Sequence, residues 1–214
     1  MSLPNPSKGG AIEMKKLLPI FSYVFHPLFI PIIATLFYFY FGTSYFLFRE
    51  IYIVIIQTAI ITVIIPVLFF WLLYVLKKAD SIMVANIDQR KIPLAFQLFL
   101  LFYLIQTVIR IDYFYELYFC FLASIISTFL AFVLLFLRQK VSLHMFGITS
   151  LTTFSVLLSI HTKNNFIPHI AFLVFVCGAV ASSRLAMKAH TPKELVLGLL
   201  IGTIPQIVFA YFWV

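Results

Sequence analysis

The residues of this sequence that could carry out a reaction lie in three short polar clusters separated by long apolar segments. The clusters occupy residues 88–93 (DQRKIP), 140–144 (KVSLH) and 182–194 (SSRLAMKAHTPKE). Two apolar segments lie between each cluster and the next, so in a membrane the chain would return to the same side for all three. Ionisable groups at membrane depth are costly unless they line a cavity. Three such clusters on one side therefore predict a shared polar pocket.

The third cluster places a histidine and a carboxylate four residues apart, at His190 and Glu194. This spacing puts both side chains on one face of a helix, where the carboxylate can fix the tautomer of the imidazole and make the ring a better nucleophile. His144 in the second cluster can then donate a proton to a leaving oxygen. Arg90 and Arg184 can each bind phosphate oxygens in a bidentate manner. These residue types predict a site for phosphate chemistry.

Acidic residues are scarce around the clusters, because outside the N-terminal tail only Asp80, Asp88 and Glu194 lie in these loops. A two-metal hydrolytic centre needs several oxygen ligands, which these loops supply poorly. Cys120 and Cys177 stand inside apolar segments, without the CxxC spacing of a zinc site. We therefore expect neither a metal ion nor another cofactor.

The third cluster resembles a known family signature. Ser183 and Arg184 are followed after five residues by His190, and after three more by Glu194. This spacing is similar to the third signature of the type 2 phosphatidic acid phosphatase superfamily, to which lipid phosphate phosphatases and vanadium haloperoxidases belong. The family has aspartate where this chain has Glu194. The resemblance covers residues 77–202.

The other two clusters resemble the first and second signatures, in the order that the family shows. Residues 142–144 (SLH) are similar to Ser-Gly-His, with leucine in place of glycine, and Arg90 with Pro93 resembles the Arg-Pro end of the first signature with two residues inserted. The basic residue that begins the first signature has no counterpart at residues 81–87. The lysines that could take its place are Lys77, Lys78 and Lys91.

The resemblance implies a metal-independent phosphatase in which His190 attacks phosphorus to form a phosphohistidine. Glu194 would orient His190, and His144 would protonate the departing alcohol or phosphate. Gly198 and Gly202 fit the small-residue face that the last helix of the family shows after its acidic residue. The residues expected to hold the phosphate oxygens are Arg184, Arg90, Ser142, Lys91 and Ser183.

The composition is that of a membrane protein, with 63% hydrophobic and 10% charged residues in a chain of 214. Its apolar segments are nearly continuous and long enough to cross about 30 Å of hydrocarbon as helices, and they lack the alternation of barrel strands. We predict an all-α, polytopic transmembrane helical bundle with six to seven membrane helices, the third apolar segment being short enough to be re-entrant or interfacial. The segments are residues 18–41, 51–76, 93–109, 114–137, 145–160, 167–187 and 195–213. Kinks are expected at Pro27, Pro31, Pro66 and Pro205.

Basic residues are distributed unequally between the two sides that this topology defines. Twelve accompany the N-terminus and the loops at residues 77–92, 138–144 and 188–194, which we call the basic side; three lie on the other side. The positive-inside rule makes the basic side cytoplasmic, and we expect an integral protein of a bacterial cytoplasmic (inner) membrane. The basic residues do not form one stripe with interleaved aromatic residues, so a nucleic acid partner is not expected.

The chain shows no internal repeat or linker that would divide it. Residues 1–13 are polar and rich in Gly and Pro, and Met14 then opens an apolar stretch. We expect residues 1–13 to be an expression-tag remnant or a disordered N-terminus and residues 14–214 to form one transmembrane, phosphatase-like domain. The oligomeric state stays open.

The function expected from these observations is an integral membrane lipid phosphate or lipid diphosphate phosphatase, whose partners are its substrate and the surrounding lipids. Leu143 and the missing first basic residue motivate an alternative, a catalytically impaired relative that binds a phosphorylated lipid or acts as a subunit of a membrane complex. A transporter or channel ranks last, because the interiors of the predicted spans contain almost no charges.

Overall fold

The computed structural model describes residues 18–42, 46–77 and 88–214, and within these ranges every regular element is helical. Helix α1 covers residues 18–24. A π-helical turn, Ile60–Ile64, joins α3 to α4, and a short 3-10 turn, Asp88–Arg90, precedes α5. The remaining helices are α2 (Ile30–Phe41), α3 (Phe48–Ala59), α4 (Ile65–Val75), α5 (Lys91–Thr107), α6 (Tyr115–Phe136), α7 (Leu143–Thr162), α8 (Ile167–Ala186) and α9 (Pro192–Ala210).

Five helices in the described part of the chain are long and apolar enough to cross a bilayer. They are Phe48–Val75, which combines α3 and α4, and α6, α7, α8 and α9. The predicted all-α membrane architecture is confirmed to this extent. The helices Ile30–Phe41 and Lys91–Thr107 are apolar but shorter. At 1.5 Å per residue, the 17 residues of α5 extend about 25 Å, slightly less than the hydrocarbon core.

The first apolar segment, predicted over residues 18–41, is not one continuous helix. Helix α1 ends before His26, and α2 begins at Ile30. The break follows from Pro27, because a proline disfavours helical geometry in the residue before it and offers no backbone N–H. The interruption turns the chain between α1 and α2, and it leaves His26 outside both helices.

Two other prolines lie inside long helices, and the chain compensates for each. Pro66 follows the π-helical turn, in which the Ile65 N–H bonds to the Ile60 carbonyl five residues back. Pro205 has no N–H to offer the carbonyl of Ile201, and the Ser127 hydroxyl donates to that carbonyl instead, at 2.7 Å. In lipid, such side-chain donors replace the missing water.

Helices α7 and α9 pack against each other through glycines, and this contact positions the candidate site. A Cβ atom at Gly198 would lie 2.6 Å from the carbonyl oxygen of Ser142, and one at Gly202 would meet Thr149 Oγ1 and the Phe146 carbonyl. Small residues allow helix backbones to approach closely in a membrane. The predicted small-residue face of the last helix is therefore the surface that packs on α7.

Polar groups also join the helices behind the glycine contact. The buried amide of Gln206 donates to the carbonyl of Cys120 at 3.0 Å and to Ser150 Oγ at 2.8 Å. These bonds connect α9 to α6 and α7 in the apolar interior, where an unsatisfied polar group is costly. The starts of α7 and α9 are thus held at one end of the bundle.

Candidate active site

The first turn of α9 builds a histidine–carboxylate pair. Thr191 is the N-cap, its hydroxyl accepts the Glu194 N–H at 3.4 Å, and Pro192 occupies the first turn. Glu194 completes the capping box by accepting the Thr191 N–H at 3.3 Å, and the same oxygen, Oε2, lies 2.7 Å from His190 Nδ1. A capping box fixes the carboxylate at the helix start. One local motif therefore both begins the helix and orients the imidazole.

Helix α8 ends in a turn that contains a left-handed residue, and His190 follows this turn. Lys188 has φ 52°, its N–H bonds to the Leu185 carbonyl, and the Ala189 N–H bonds to the Arg184 carbonyl. This is the Schellman arrangement, in which glycine is the usual left-handed residue. Two residues after the left-handed position, the chain reaches His190.

Helix α6 ends in a turn of the same kind, and Lys140 follows this turn. Arg138 has φ 56°, its N–H bonds to the Leu135 carbonyl, and the Gln139 N–H bonds to the Leu134 carbonyl. Lys140 stands two residues after the left-handed position, as His190 does after Lys188. Its ammonium then lies 3.5 Å from the carbonyl of Ala189. The two turns are therefore in contact.

The start of α7 is bonded to the first turn of α9. Ser142 is fully buried, its N–H donates to the Glu194 carbonyl at 3.2 Å, and its hydroxyl caps α7 by accepting the Met145 N–H at 3.4 Å. The predicted second and third clusters therefore meet. Capping occupies an acceptor of the Ser142 hydroxyl, while its O–H can still donate to a ligand.

His144 is the second residue of α7 and contacts α1. Its Nε2 is 3.2 Å from the main-chain carbonyl of Ser22, which as an acceptor requires the proton on Nε2. The ring packs edge-on against His26, with centroids 5.0 Å apart. The His144 ring lies within electrostatic reach of Arg184 and His190. The two predicted catalytic histidines are therefore on the same side of the bundle.

Arg184 is a buried cation without an ionic partner in the described part of the chain. The residue is 7% exposed and its Nε has no hydrogen-bond partner. Its Nη1 lies 3.9 Å from the sulfur of Met187, a weak acceptor. None of the ion pairs among the described residues includes it. A buried, uncompensated guanidinium is costly, and a bound anion would remove that cost.

Two further cations, Arg90 and Lys140, share this environment. Burial lowers the pKa of Arg90, Glu194 raises it and Arg184 lowers it. Burial also lowers the pKa of Lys140, with Arg90 and Arg184 acting in the same direction and Glu194 against them. Arg90 and Lys140 therefore lie within electrostatic reach of both Glu194 and Arg184.

The imidazole of His190 is held neutral. Burial lowers its pKa to about 4, with the hydrogen bond to Glu194 opposing this effect and Arg184 and Arg90 reinforcing it. The carboxylate only accepts hydrogen bonds, so the ring proton is assigned to Nδ1, which leaves a lone pair on Nε2. A neutral imidazole with an unprotonated Nε2 and a carboxylate behind Nδ1 is the form required of a nucleophile.

The lowered pKa of His190 predicts how the stability of the protein depends on pH. The unfolded chain takes up this proton near pH 6.5 and the folded chain near pH 4, so stability is lost as the pH falls through that interval and is fully present above it. The contribution of His190 is about 1.4 kcal/mol per pH unit at most. In thermal unfolding from pH 4 to 7.5, the His190→Gln variant should therefore lose stability less steeply than the wild type. Parallel curves would contradict the assignment.

Two other predicted phosphate-binding residues, Ser183 and Lys91, have side chains that contact other side chains of the protein. Ser183 is fully buried, and its hydroxyl lies 2.7 Å from that of Ser22, so it faces α1. The ammonium of Lys91 lies 5.2 Å from the ring centroid of Phe136, an exposed residue on α6. Residues 1–17, residues 78–87 and the side chain of Asp88 lie outside the described part of the chain, and so do the predictions that fall on them.

Three residues around this site were not assigned to it by the sequence: Ser22, His26 and Lys140. Lys140 had a visible signal, because it stands two residues before Ser142 within the second cluster. His26 was interpreted as a packed or helix-bonding residue, and its Nδ1 does accept the Leu28 N–H at 3.3 Å. Nothing in local spacing could reveal that His26 and Ser22 contact α7.

The donor set gives little for a metal ion to bind. Among the described residues, no group of three or more His, Cys, Asp or Glu side chains is arranged to hold one.

The chain matches no protein-family model, no curated protein and no solved structure.

Proposed function

We propose that this protein is an integral membrane phosphatase that hydrolyses lipid phosphates or lipid diphosphates without a metal ion, as a divergent relative of the type 2 phosphatidic acid phosphatases. The observation that carries the proposal is the buried, neutral His190 with Glu194 at 2.7 Å, within electrostatic reach of Arg184, a buried cation without an ionic partner among the described residues. A nucleophile alone would fit many reactions, whereas the buried guanidinium favours an anionic substrate.

In the proposed reaction, His190 Nε2 attacks phosphorus and the bond from phosphorus to the ester oxygen breaks. The departing oxygen takes a proton from Nδ1 of His144, which gains that proton as the anionic substrate binds because its Nε2–H is held by the Ser22 carbonyl, and a phosphohistidine remains. Positive charge develops on the imidazole as the bond forms, and the carboxylate of Glu194 stabilises it across the 2.7 Å contact. Water then attacks the phosphohistidine and returns a proton to His144, and inorganic phosphate leaves. Arg90 and Arg184 stabilise the charge on the phosphate oxygens.

A lipid substrate suits the location of the site. The reacting groups lie at the ends of α7, α8 and α9, three helices long enough to span a bilayer. A phosphorylated headgroup could therefore reach the site while its apolar chain stays in the hydrocarbon. The helix surfaces supply only generic apolar contacts to that chain.

The proposal is tested by phosphate release from a panel of lipid phosphates in detergent micelles. Purified protein should release phosphate from phosphatidic acid, phosphatidylglycerol phosphate or a polyprenyl diphosphate, and excess EDTA should leave the rate unchanged. Orthovanadate should inhibit, because it imitates five-coordinate phosphorus. Release that stops in EDTA and returns with added Mg²⁺ would contradict the metal-independent mechanism.

A second candidate function, binding without turnover, is favoured by two departures from the family signatures, Leu143 in place of glycine and the absence of a basic residue from the sequence at 81–87. The side chain of His190 is 3% exposed, and the cavity beside Arg90, Val141 and Leu143 measures about 10 Å³, room for about one water molecule. A headgroup could enter only if the helix ends moved. Saturable binding of phosphatidic acid with no phosphate release, unchanged in His190→Gln, would select this alternative.

We also propose that α1 with α2, and α5, complete seven crossings, with the site and the N-terminus on the cytoplasmic face of a bacterial inner membrane. The excess of basic residues on that side supports this orientation. In a background without native cysteines, Gln139→Cys should react with a membrane-impermeant maleimide only in inside-out vesicles. Lys163→Cys should react only in right-side-out vesicles. The reverse pattern would overturn the orientation.

A further inference from the structure

His26 begins a tight turn between α1 and α2. The Phe29 N–H bonds to the His26 carbonyl at 2.8 Å, and Pro27 occupies the second position of the turn, where proline is favoured. The helix is interrupted here, so the Leu28 N–H donates to Nδ1 of His26 at 3.3 Å. A side chain that bonds to the N–H two residues further on is fixed by the turn that it begins. The imidazole of His26 is therefore anchored to its own main chain.

His144, which contacts this segment, is held by few polar contacts. Its Nε2 donates to the Ser22 carbonyl at 3.2 Å, and no hydrogen bond within the described part of the chain uses its Nδ1. The torsion that rotates an imidazole about its Cβ–Cγ bond has only broad preferences. A single hydrogen bond at one edge of the ring limits this rotation in part, so packing against the ring must supply the rest.

The ring of His26 supplies that packing. The centroids of the His26 and His144 rings are 5.0 Å apart, and their planes meet at 88°. Such perpendicular contacts are favoured between aromatic rings. Phe29 lies edge-on to His26 in the same turn, with centroids 6.4 Å apart. Because His26 is anchored by the turn and contacts Phe29, its own contact with His144 restrains the orientation of that ring.

We propose that His26 is a positioning residue of this site, which holds the His144 ring so that Nδ1 can protonate the departing oxygen. The inference rests on the proposed phosphatase function and adds to it a residue that no signature contains. A general acid works only within hydrogen-bond reach of the oxygen that it protonates, and a displacement of about 1 Å can cost roughly 100-fold in rate. His26 acts through His144 and touches no substrate, so its loss should lower kcat and leave KM unchanged.

Two substitutions separate the ring contact from the turn to which His26 belongs. In His26→Asn the side-chain carbonyl can still accept the Leu28 N–H, but no ring is left to pack on His144. In His26→Phe a ring remains, but its side chain cannot accept the N–H. Phosphate release from short-chain phosphatidic acid in detergent micelles and the melting temperature are measured for the wild type and both variants.

We expect activity and stability to change in opposite orders. His26→Asn should lose about 10-fold in kcat with KM within about twofold of the wild type, a part of the roughly 100-fold that loss of a general acid costs. It should melt with the wild type. His26→Phe should keep kcat within about threefold because the ring contact is retained. It should melt about 2–4 °C lower, because the Leu28 N–H loses its acceptor.

A double-mutant cycle tests whether His26 acts through His144. His144→Gln should lower kcat by roughly 100-fold. Adding His26→Asn to this variant should slow the reaction no further, because the effects of residues that act as one unit are not additive. The matched control is His169→Asn, which removes an edge-on ring contact with Phe41 at 4.6 Å on the side opposite the candidate site. This control should release phosphate at the wild-type rate.

The outcomes separate this inference from the proposed function. If His26→Asn is as fast as the wild type, in a protein whose phosphate release requires His190, the role of His26 alone is overturned. A further loss of similar size when His26→Asn is added to His144→Gln would overturn it as well, because His26 would then act independently of His144. A wild type that releases no phosphate from any lipid of the panel would overturn both proposals.

Discussion

Replacing His190 with glutamine should lower the rate of phosphate release by at least about 1,000-fold, since the variant lacks the nucleophile and keeps only the binding groups. Glu194→Gln should cost less, roughly 100-fold, because the imidazole remains but loses the carboxylate at 2.7 Å that orients it. The double variant should be no slower than His190→Gln alone. Such non-additivity is expected of residues that act as one unit.

The matched control for this series is His169→Gln. His169 is an exposed residue of α8, close to the ring of Phe41 on the side opposite the candidate site. Its replacement should leave the rate within about twofold, the range usual for a surface substitution. Acid-labile ³²P on the wild type during turnover, and none on His190→Gln, would identify the phosphohistidine directly. Equal rates in the wild type and His190→Gln would end the phosphatase proposal.

Adding one methyl group at Gly202 should be strongly destabilising. An alanine Cβ there would collide with Thr149 Oγ1 and the Phe146 carbonyl of α7, and the main chain of a helix cannot yield as a flexible side chain can. Overpacking costs about 1–3 kcal/mol, or roughly 2–12 °C in melting temperature for a chain of this size. Phosphate release should fall too, because the glycine contact also sets the position of His144 relative to His190.

Gly178→Ala is the control for the glycine experiment, since nothing lies within 4 Å of a Cβ atom at this position in α8. Alanine is the better helix former, so this variant should be as stable as the wild type or gain up to about 1 kcal/mol. Melting temperatures in one detergent measure both changes. If Gly202→Ala melts with the wild type, α7 and α9 are not as close as the structure has them.

The parts of the site that the sequence predicted are those that depend on local geometry. The pairing of His190 with Glu194 follows from helical spacing, and the packing face of α9 follows from Gly198 and Gly202, four residues apart. These residues lie on one face of the helix in any fold in which the segment is helical. The break before α2 also had a local cause in Pro27, but its consequence, a turn that brings α1 over the site, depends on packing that no spacing records.

The parts that the sequence did not predict involve residues far apart in the chain. Ser22 and His26 reach His144 across more than a hundred residues, and only the packing of α1 on α7 and α8 brings them there. Lys140 lies in the second cluster, but the signature that this cluster resembles covers only residues 142–144. The contact of its ammonium with the Ala189 carbonyl, and not motif spacing, places it next to the residue before His190.

The hydrogen bond between His144 and Ser22 has a consequence for how mutations in α1 will behave. The acceptor is a main-chain oxygen, so exchanging the side chain at position 22 leaves the bond in place. Alanine scanning of α1 would therefore leave His144 tethered. The hydrogen bond is lost only if α1 as a whole moves away from His144. It therefore depends on the position of α1 and not on the identity of its side chains.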